Sequence, residues 1–271
     1  MRSKSGILTV FIILTAAISF VRAQNLTIRS SDGQIESTPL NQIQKLLFNE
    51  GELVKEIKTG PNSYTEIPGI RKITFNMDPP LKRLNVFVLP EGLYAGGGSL
   101  SQAQGSHGPQ FREGIADQIS VELRDSENYT NTAYASSSVN LGTNGTAVLF
   151  FPSEISGYCY LSVKHRNSIT VVSADAVEFG GPVVSYAFDA ANKAYGSNLI
   201  DMNDGYFATY GGDANQDGII DTSDMTPIDN DSGAYSAGYL NTDINGDGIT
   251  DTSDMTIVDN NSNNYIQVAH P

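Results

Sequence analysis

Cysteine is nearly missing from this chain. Cys159 is its sole thiol, so no intramolecular disulfide can form, and stability has to come from a buried core or a bound ion. Within the strand-like stretch Gly157-Tyr-Cys-Tyr-Leu161 the thiol reads as a small buried hydrophobe. Tryptophan is absent, and the only histidines are His107, His165 and His270. No motif joins a histidine to a nucleophile, and three scattered imidazoles make no zinc pattern. The chain therefore reads as non-enzymatic, with His165 a structural hydrogen-bonding residue. Basic residues are scarce: 16 Lys and Arg face 30 Asp and Glu, a formal charge of −14. From Tyr195 to Pro271 there are 13 Asp and no Lys, Arg or Glu. A surface of that sign repels phosphate, which excludes nucleic acid as a partner. Long apolar runs are missing too, except Ile7 to Phe20. Those 14 residues fall short of the roughly 20 that a spanning helix needs. With Arg2 and Lys4 before them and Val21-Arg22-Ala23 behind, they have the layout of a secretory signal peptide cleaved before Gln24. Its removal takes the formal charge to −17 and implies a secreted, extracellular or cell-surface protein with no membrane span.

What is present in quantity is aspartate at fixed spacing. Asp213-Ala-Asn215-Gln-Asp217-Gly218-Ile219-Ile-Asp221-Thr-Ser-Asp224 returns 30 residues later as Asp243-Ile-Asn245-Gly-Asp247-Gly248-Ile249-Thr-Asp251-Thr-Ser-Asp254. Each copy places side-chain oxygens at loop positions 1, 3, 5, 9 and 12, Gly at 6, and a main-chain carbonyl donor, from Ile219 or Ile249, at 7. A hard cation such as Ca²⁺ takes about 6–8 oxygen ligands, with glycine permitting the sharp turn midway. Two copies in one register point to two bound calcium ions.

Upstream, short β-like runs alternate in polarity: Ile70–Asn76, Leu84–Leu89, Gln118–Arg124, Ser136–Leu141, Thr146–Phe151, Tyr158–His165, Ile169–Ser173 and Val183–Phe188. Gly, Asn, Asp and Pro lie between them, as in Asn144-Gly145 and Gly180-Gly181-Pro182. Such spacing predicts an antiparallel β-sandwich of immunoglobulin-like or transthyretin-like type. The polar stretch from Tyr94 to Ala116 lacks a phosphate-loop ending, and a loop of that length is either functional or disordered. In the segment 24–69, Asn25-Leu-Thr-Ile-Arg and Leu53-Val-Lys-Glu-Ile57 read as strands. Thr38-Pro39 followed by Leu40, Ile43, Leu46 and Leu47 on one face reads as a short amphipathic helix stopped near Gly51. The expected organisation is a leader (1–23), an N-terminal segment (24–69), a sandwich (70–195) and a small α-helical calcium domain (196–271).

The paired loops and the helix pattern after each resemble the dockerin family over about Gly212 to Asn264. That resemblance implies calcium held by Asp213, Asn215, Asp217, Ile219, Asp221 and Asp224, and by Asp243, Asn245, Asp247, Ile249, Asp251 and Asp254. It also places Thr222-Ser223 and Thr252-Ser253 where many dockerins recognise their partner, the cohesin domain. Dockerins usually carry Leu, Lys and Arg on the helix that meets cohesin. Here the helices read Met225-Thr-Pro-Ile228-Asp-Asn and Met255-Thr-Ile-Val258-Asp-Asn, with no basic residue. Ser162-Val-Lys-His-Arg-Asn167 and Ala191-Asn-Lys-Ala-Tyr-Gly196, leading into Gly212-Asp213, resemble a secreted module of Bacteroidetes-type bacteria in which a β-sandwich runs into a dockerin-like pair.

Two functions follow as expectations. One is a structural subunit of the cell surface or matrix that assembles with copies of itself, into filaments for example, its N-terminal strands adding to a neighbouring sheet. The other is a binding module for a cohesin-like scaffold or another extracellular protein, or for carbohydrate.

Overall fold

The computed structural model describes residues 23–30, 35–39, 43–49, 52–57, 63–66, 70–77 and 81–271. The leader reading falls on residues outside this set, apart from Ala23. The chain divides into two compact units, Met1–Leu81 and Lys82–Pro271.

The first unit contains β1 (Ala23–Ser30), β2 (Ile35–Pro39), β3 (Ile43–Asn49), β4 (Glu52–Ile57), β5 (Ser63–Glu66) and β6 (Ile70–Met77). They form two three-stranded sheets, ordered β2-β1-β6 and β3-β4-β5. Two expectations are corrected here. The helix from Thr38 is absent: Thr38 and Pro39 end β2, and Ile43–Asn49 is a strand. The apolar run Leu46-Leu-Phe48 fits either period, and pairing decides it, with Leu47 opposite Val54 and Phe48 opposite Leu53. Cross-strand partners outweigh a short helical preference. Strand β6, expected to open the sandwich, instead pairs along β1, with Ile73 opposite Ile28 and Phe75 opposite Leu26.

The strand β7 (Leu81–Phe87) leads into the second unit. After it come four short pieces, β8 (Tyr94–Gly96), β9 (Ser99–Leu100), β10 (Gln104–Gly105) and β11 (Gly108–Pro109). The body follows as β12 (Ile115–Asp125), β13 (Thr132–Gly142), β14 (Thr146–Pro152), β15 (Tyr158–His165), β16 (Ser168–Val172), β17 (Val177–Glu178) and β18 (Val183–Ala187). A small ladder, β19 (Ile200–Asp201) with β20 (Phe207–Ala208), precedes α1 (Thr222–Gly233) and α2 (Thr252–Ser262).

Eight strands make one curled sheet in the order β16-β15-β12-β13-β14-β7-β18, with β17 beside β15. Between β13 and β14 the register gives one partner pair, Leu141 with Ala147. The alternation read from the sequence becomes an inner face of Leu84, Val121, Leu123, Leu149, Phe151 and Leu161, all at most 5% exposed. The buried thiol of Cys159 joins them. The ladder is not wholly antiparallel as expected: β18 runs parallel to β7, with Val183 opposite Arg83 and Ala187 opposite Phe87. These strands begin and end the sheet-forming segment, so the long excursion between them supplies the crossover that a parallel pair requires. Residues 94–116 carry short ladders of their own. Their β8/β9 and β10/β11 ladders are held by buried Leu100 and Ala103, the latter donating its N–H to Ala116.

Candidate calcium-binding loops

Each aspartate-rich loop organises itself through its own side chains. Gly218 and Gly248 adopt φ of +88° and +87°, a region that costs most side chains strain. In the first loop the Asn215 Oδ1 accepts from the N–H of Asp217 at 2.8 Å, and the Asp217 Oδ1 from Ile219 at 3.0 Å. In the second the corresponding bonds, Asp247 to Asn245 and Ile249 to Asp247, are 2.8 and 2.9 Å. The position-12 carboxylates close each loop: Asp224 accepts from Asn215 and Asp221, and Asp254 from Ile244, Asn245 and Asp251. The same aspartates complete capping boxes with Asp221 and Asp251, which start α1 and α2 and satisfy donors that a helix start leaves bare.

The loops turn their first and last carboxylates inward. Asp213, Asp224, Asp243 and Asp254 are at most 2% exposed. Burial pushes Asp213 and Asp243 up to about 6 and raises Asp224 and Asp254 as well. Asp221 goes the other way, lowered by the hydroxyl and amide of Ser223. Among the described residues, Asp243 Oδ1 is buried with no hydrogen-bond partner. Its other oxygen, Oδ2, accepts from the Gly248 N–H at 3.1 Å; a buried oxygen left without a donor is costly, and a cation at the loop centre would satisfy it. The donor set, all hard oxygen, matches calcium. As they stand, no three His, Cys, Asp or Glu side chains among the described residues draw together into a cage; the carboxylates lie on main-chain amides. Ile219 and Ile249, read as carbonyl donors, are 43% and 56% exposed.

The two halves brace one another. The segment after α1 runs along the second loop, where Gly238 donates to Gly248 at 2.8 Å and Thr250 to Ser236. The segment after α2 runs along the first, where Val268 donates to Gly218 at 2.8 Å and Ile220 to Ile266. These contacts match residue for residue at the 30-residue offset of the repeat. Ile220, Ile228, Ile244 and Val258 form a shared core beneath, and Ile169 from β16 enters it.

The turn between β15 and β16 joins this pair to the sheet. Asn167 accepts from the Gly212 N–H, and its Nδ2 donates to the Asp243 carbonyl, both at 2.8 Å. Arg166 Nη1 donates to the same carbonyl at 2.8 Å and to the Leu240 carbonyl. Behind it, Asp117, fully buried, accepts from Arg166 Nε at 3.1 Å, pairs with His165 Nε2 at 3.0 Å and takes the Tyr239 hydroxyl. Burial alone would raise the Asp117 carboxyl; His165, Arg166 and Tyr239 together hold it well below the usual carboxylate range. Tyr239 lies under the guanidinium, 4.6 Å from its ring centre. Sequence reasoning missed Asp117 and Tyr239. The signal for the first was a lone acid at an otherwise apolar strand start, Ile115-Ala-Asp117.

Ser168 Oγ stands 3.2 Å from His165 Nδ1 and Asp117 Oδ2 3.0 Å from Nε2, the residue types of a hydrolase triad with the two ring nitrogens exchanged. Ser168 is 1% exposed and does not line the shallow cleft beside His165. Ser168, His165 and Asp117 thus form one buried hydrogen-bond chain.

No protein family matches this chain, and no curated protein matches it. Among solved structures it overlaps weakly with two interface mutants of a type II cohesin–X-dockerin complex from Acetivibrio cellulolyticus. The TM-scores are 0.40 and 0.38 at 14% identity, covering 68% of this chain and 99% of theirs. Overlap at that level leaves the reading of the loops to their own residues.

Proposed function

We propose that residues 213–224 and 243–254 each bind one Ca²⁺, and that the ions lock this half of the chain onto the curled sheet to make a rigid, non-catalytic building unit of the cell surface or extracellular matrix. The observation that carries the reading is the buried, partnerless Asp243 oxygen at position 1 of a loop whose other donors are all oxygen. Because the unfolded segment has no preformed site, binding energy becomes folding energy. Calorimetric titration of the full chain should give two bound ions. Asp217→Ala combined with Asp247→Ala should leave 195–271 protease-sensitive even in millimolar calcium, and unchanged resistance defeats the mechanism. Assembly is read from light-scattering mass with calcium and with chelator: a large calcium-dependent species supports a self-associating subunit, a monomer in both conditions removes it.

One observation favours a second reading, docking to a cohesin-like scaffold: Thr222-Ser223 and Thr252-Ser253 are exposed at the starts of α1 and α2. A stable calcium-dependent complex with a cohesin domain, lost on changing both serines to Asp, decides for it.

A further inference from the structure

The two loops share a sequence but not a setting. Among the described residues, the second is gripped by the sheet at three places. Its Asp243 carbonyl takes Arg166 and Asn167, its Gly246 carbonyl takes the N–H of Gln104 at 2.9 Å, and Gly92 lies against Ile244, where an added Cβ would meet the Ile244 oxygen at 2.0 Å. Arg166 also brings Nη2 to 3.9 Å from Asp243 Oδ2, and its side chain is 8% exposed. That nitrogen has no hydrogen-bond partner of its own, so the guanidinium serves this loop as a fixed cation. Asp117, on its far side, accepts from Nε at 3.1 Å and so orients it.

The first loop has less. The Asp213 carbonyl is taken by Gln216, a residue of the same loop, at 2.9 Å, and Gln216 reaches His165 only at 3.4 Å. The nearby cation is the exposed Lys164. Four aspartates in each loop repel one another, and only in the second does a buried counter-ion stand among them.

We propose that Arg166 and Asn167 let the second loop keep its shape without calcium, whereas the first takes its shape only with the ion. The inference rests on the calcium reading above. Arg166 and Asn167 are positioning residues: they touch no ion themselves but hold the main chain and carboxylate of a ligand. Calcium then shapes the first loop and enters a second loop whose main chain is already held.

Hydrogen exchange of the full chain, read by peptide in chelator and in millimolar calcium, tests this. In chelator the amides of 243–254 should exchange at least about tenfold more slowly than those of 213–224. Calcium should bring the first loop close to the second. Arg166→Gln should abolish the contrast in chelator, Asn167→Ala should narrow it, and Arg166→Lys should restore part of it. Calcium should return protection to each variant, with β12–β14 protected throughout. Equal exchange of the two loops in the chelated wild type overturns the inference, as does an unchanged contrast in Asn167→Ala and Arg166→Gln. If Arg166→Gln does not fold in chelator, the wild-type contrast and Asn167→Ala decide. Calcium that slows neither loop overturns the calcium reading itself, an outcome distinct from the others.

Discussion

Loop position 4 separates the two halves more clearly than any ligand does. The residue there is Gln216 in the first copy and Gly246 in the second, and both adopt a left-handed backbone, φ +62° and +73°. In the second copy a Cβ would stand 2.3 Å from Leu93 Cδ2, because the 94–116 stretch and the turn before it press on the loop. In the first copy there is room, and the glutamine uses it to bond the Asp213 carbonyl. The oxygen-bearing positions repeat in both copies; the fourth position differs because packing does. A repeat can thus keep its chemistry while each copy is fitted to a different neighbour.

The largest way to break the comparison is at Arg166. Arg166→Met strips a buried partner from Asp117 and from the second loop, and losses of this kind run to about 3–5 kcal/mol. Lys164→Met, two residues away on the exposed face, should change stability by about 0.5 kcal/mol or less. Urea unfolding of both variants checks this, and similar losses would mean the guanidinium is no clamp. Exchanging the position-4 residues comes next. Gly246→Gln should cost about 1–3 kcal/mol through overpacking against Leu93, whereas Gln216→Gly should cost about 1 kcal/mol or less. Equal costs would show that the second loop is not pressed by the sheet.

Acid sharpens the comparison from the clamp side. The folded-state pKa of Asp117 lies below its unfolded value, so its contribution is complete above about pH 4 and fades as the pH falls towards the folded value. Wild-type stability should therefore fall more steeply than that of Asp117→Asn as the pH drops below about 4, as read by thermal melting at each pH. Parallel curves would remove Asp117 from the clamp. The smallest effect concerns the helices. Pro227 sits inside α1 where α2 has Ile257, and an interior proline forfeits a backbone hydrogen bond. Pro227→Ile should raise the melting temperature slightly, by about 1 kcal/mol of stability or less. A destabilised variant would show that the ring packs in a way the Ile257 position does not reproduce.

Much of the body was legible in the chain. Strand alternation located β12, β13, β14 and β15 to within a few residues, since one face of each had to be apolar. The N-terminal helix failed for a physical reason: Ile43 to Phe48 carries apolar residues that suit two periods, and β4, not local propensity, chose between them. The parallel pairing of β18 with β7 had no local signature, because each strand reads the same whichever way its neighbour runs. Asp117 and Tyr239 stand 122 residues apart, and nothing in either neighbourhood announces the other.

By itself, the sequence determined the two oxygen-rich loops, their 30-residue period, the glycines at position 6 and the polarity pattern of the strands. Those features depend on neighbours within a dozen residues, where backbone geometry and ligand chemistry leave few choices. Only the tertiary structure decided that Arg166 and Asn167 reach the second loop, that each post-helix segment braces the opposite loop, and that Ser168, His165 and Asp117 meet in one buried hydrogen-bond chain. Those outcomes depend on which surfaces meet across tens of residues, and burial, which sets the strength of every charge involved, exists only after they have met.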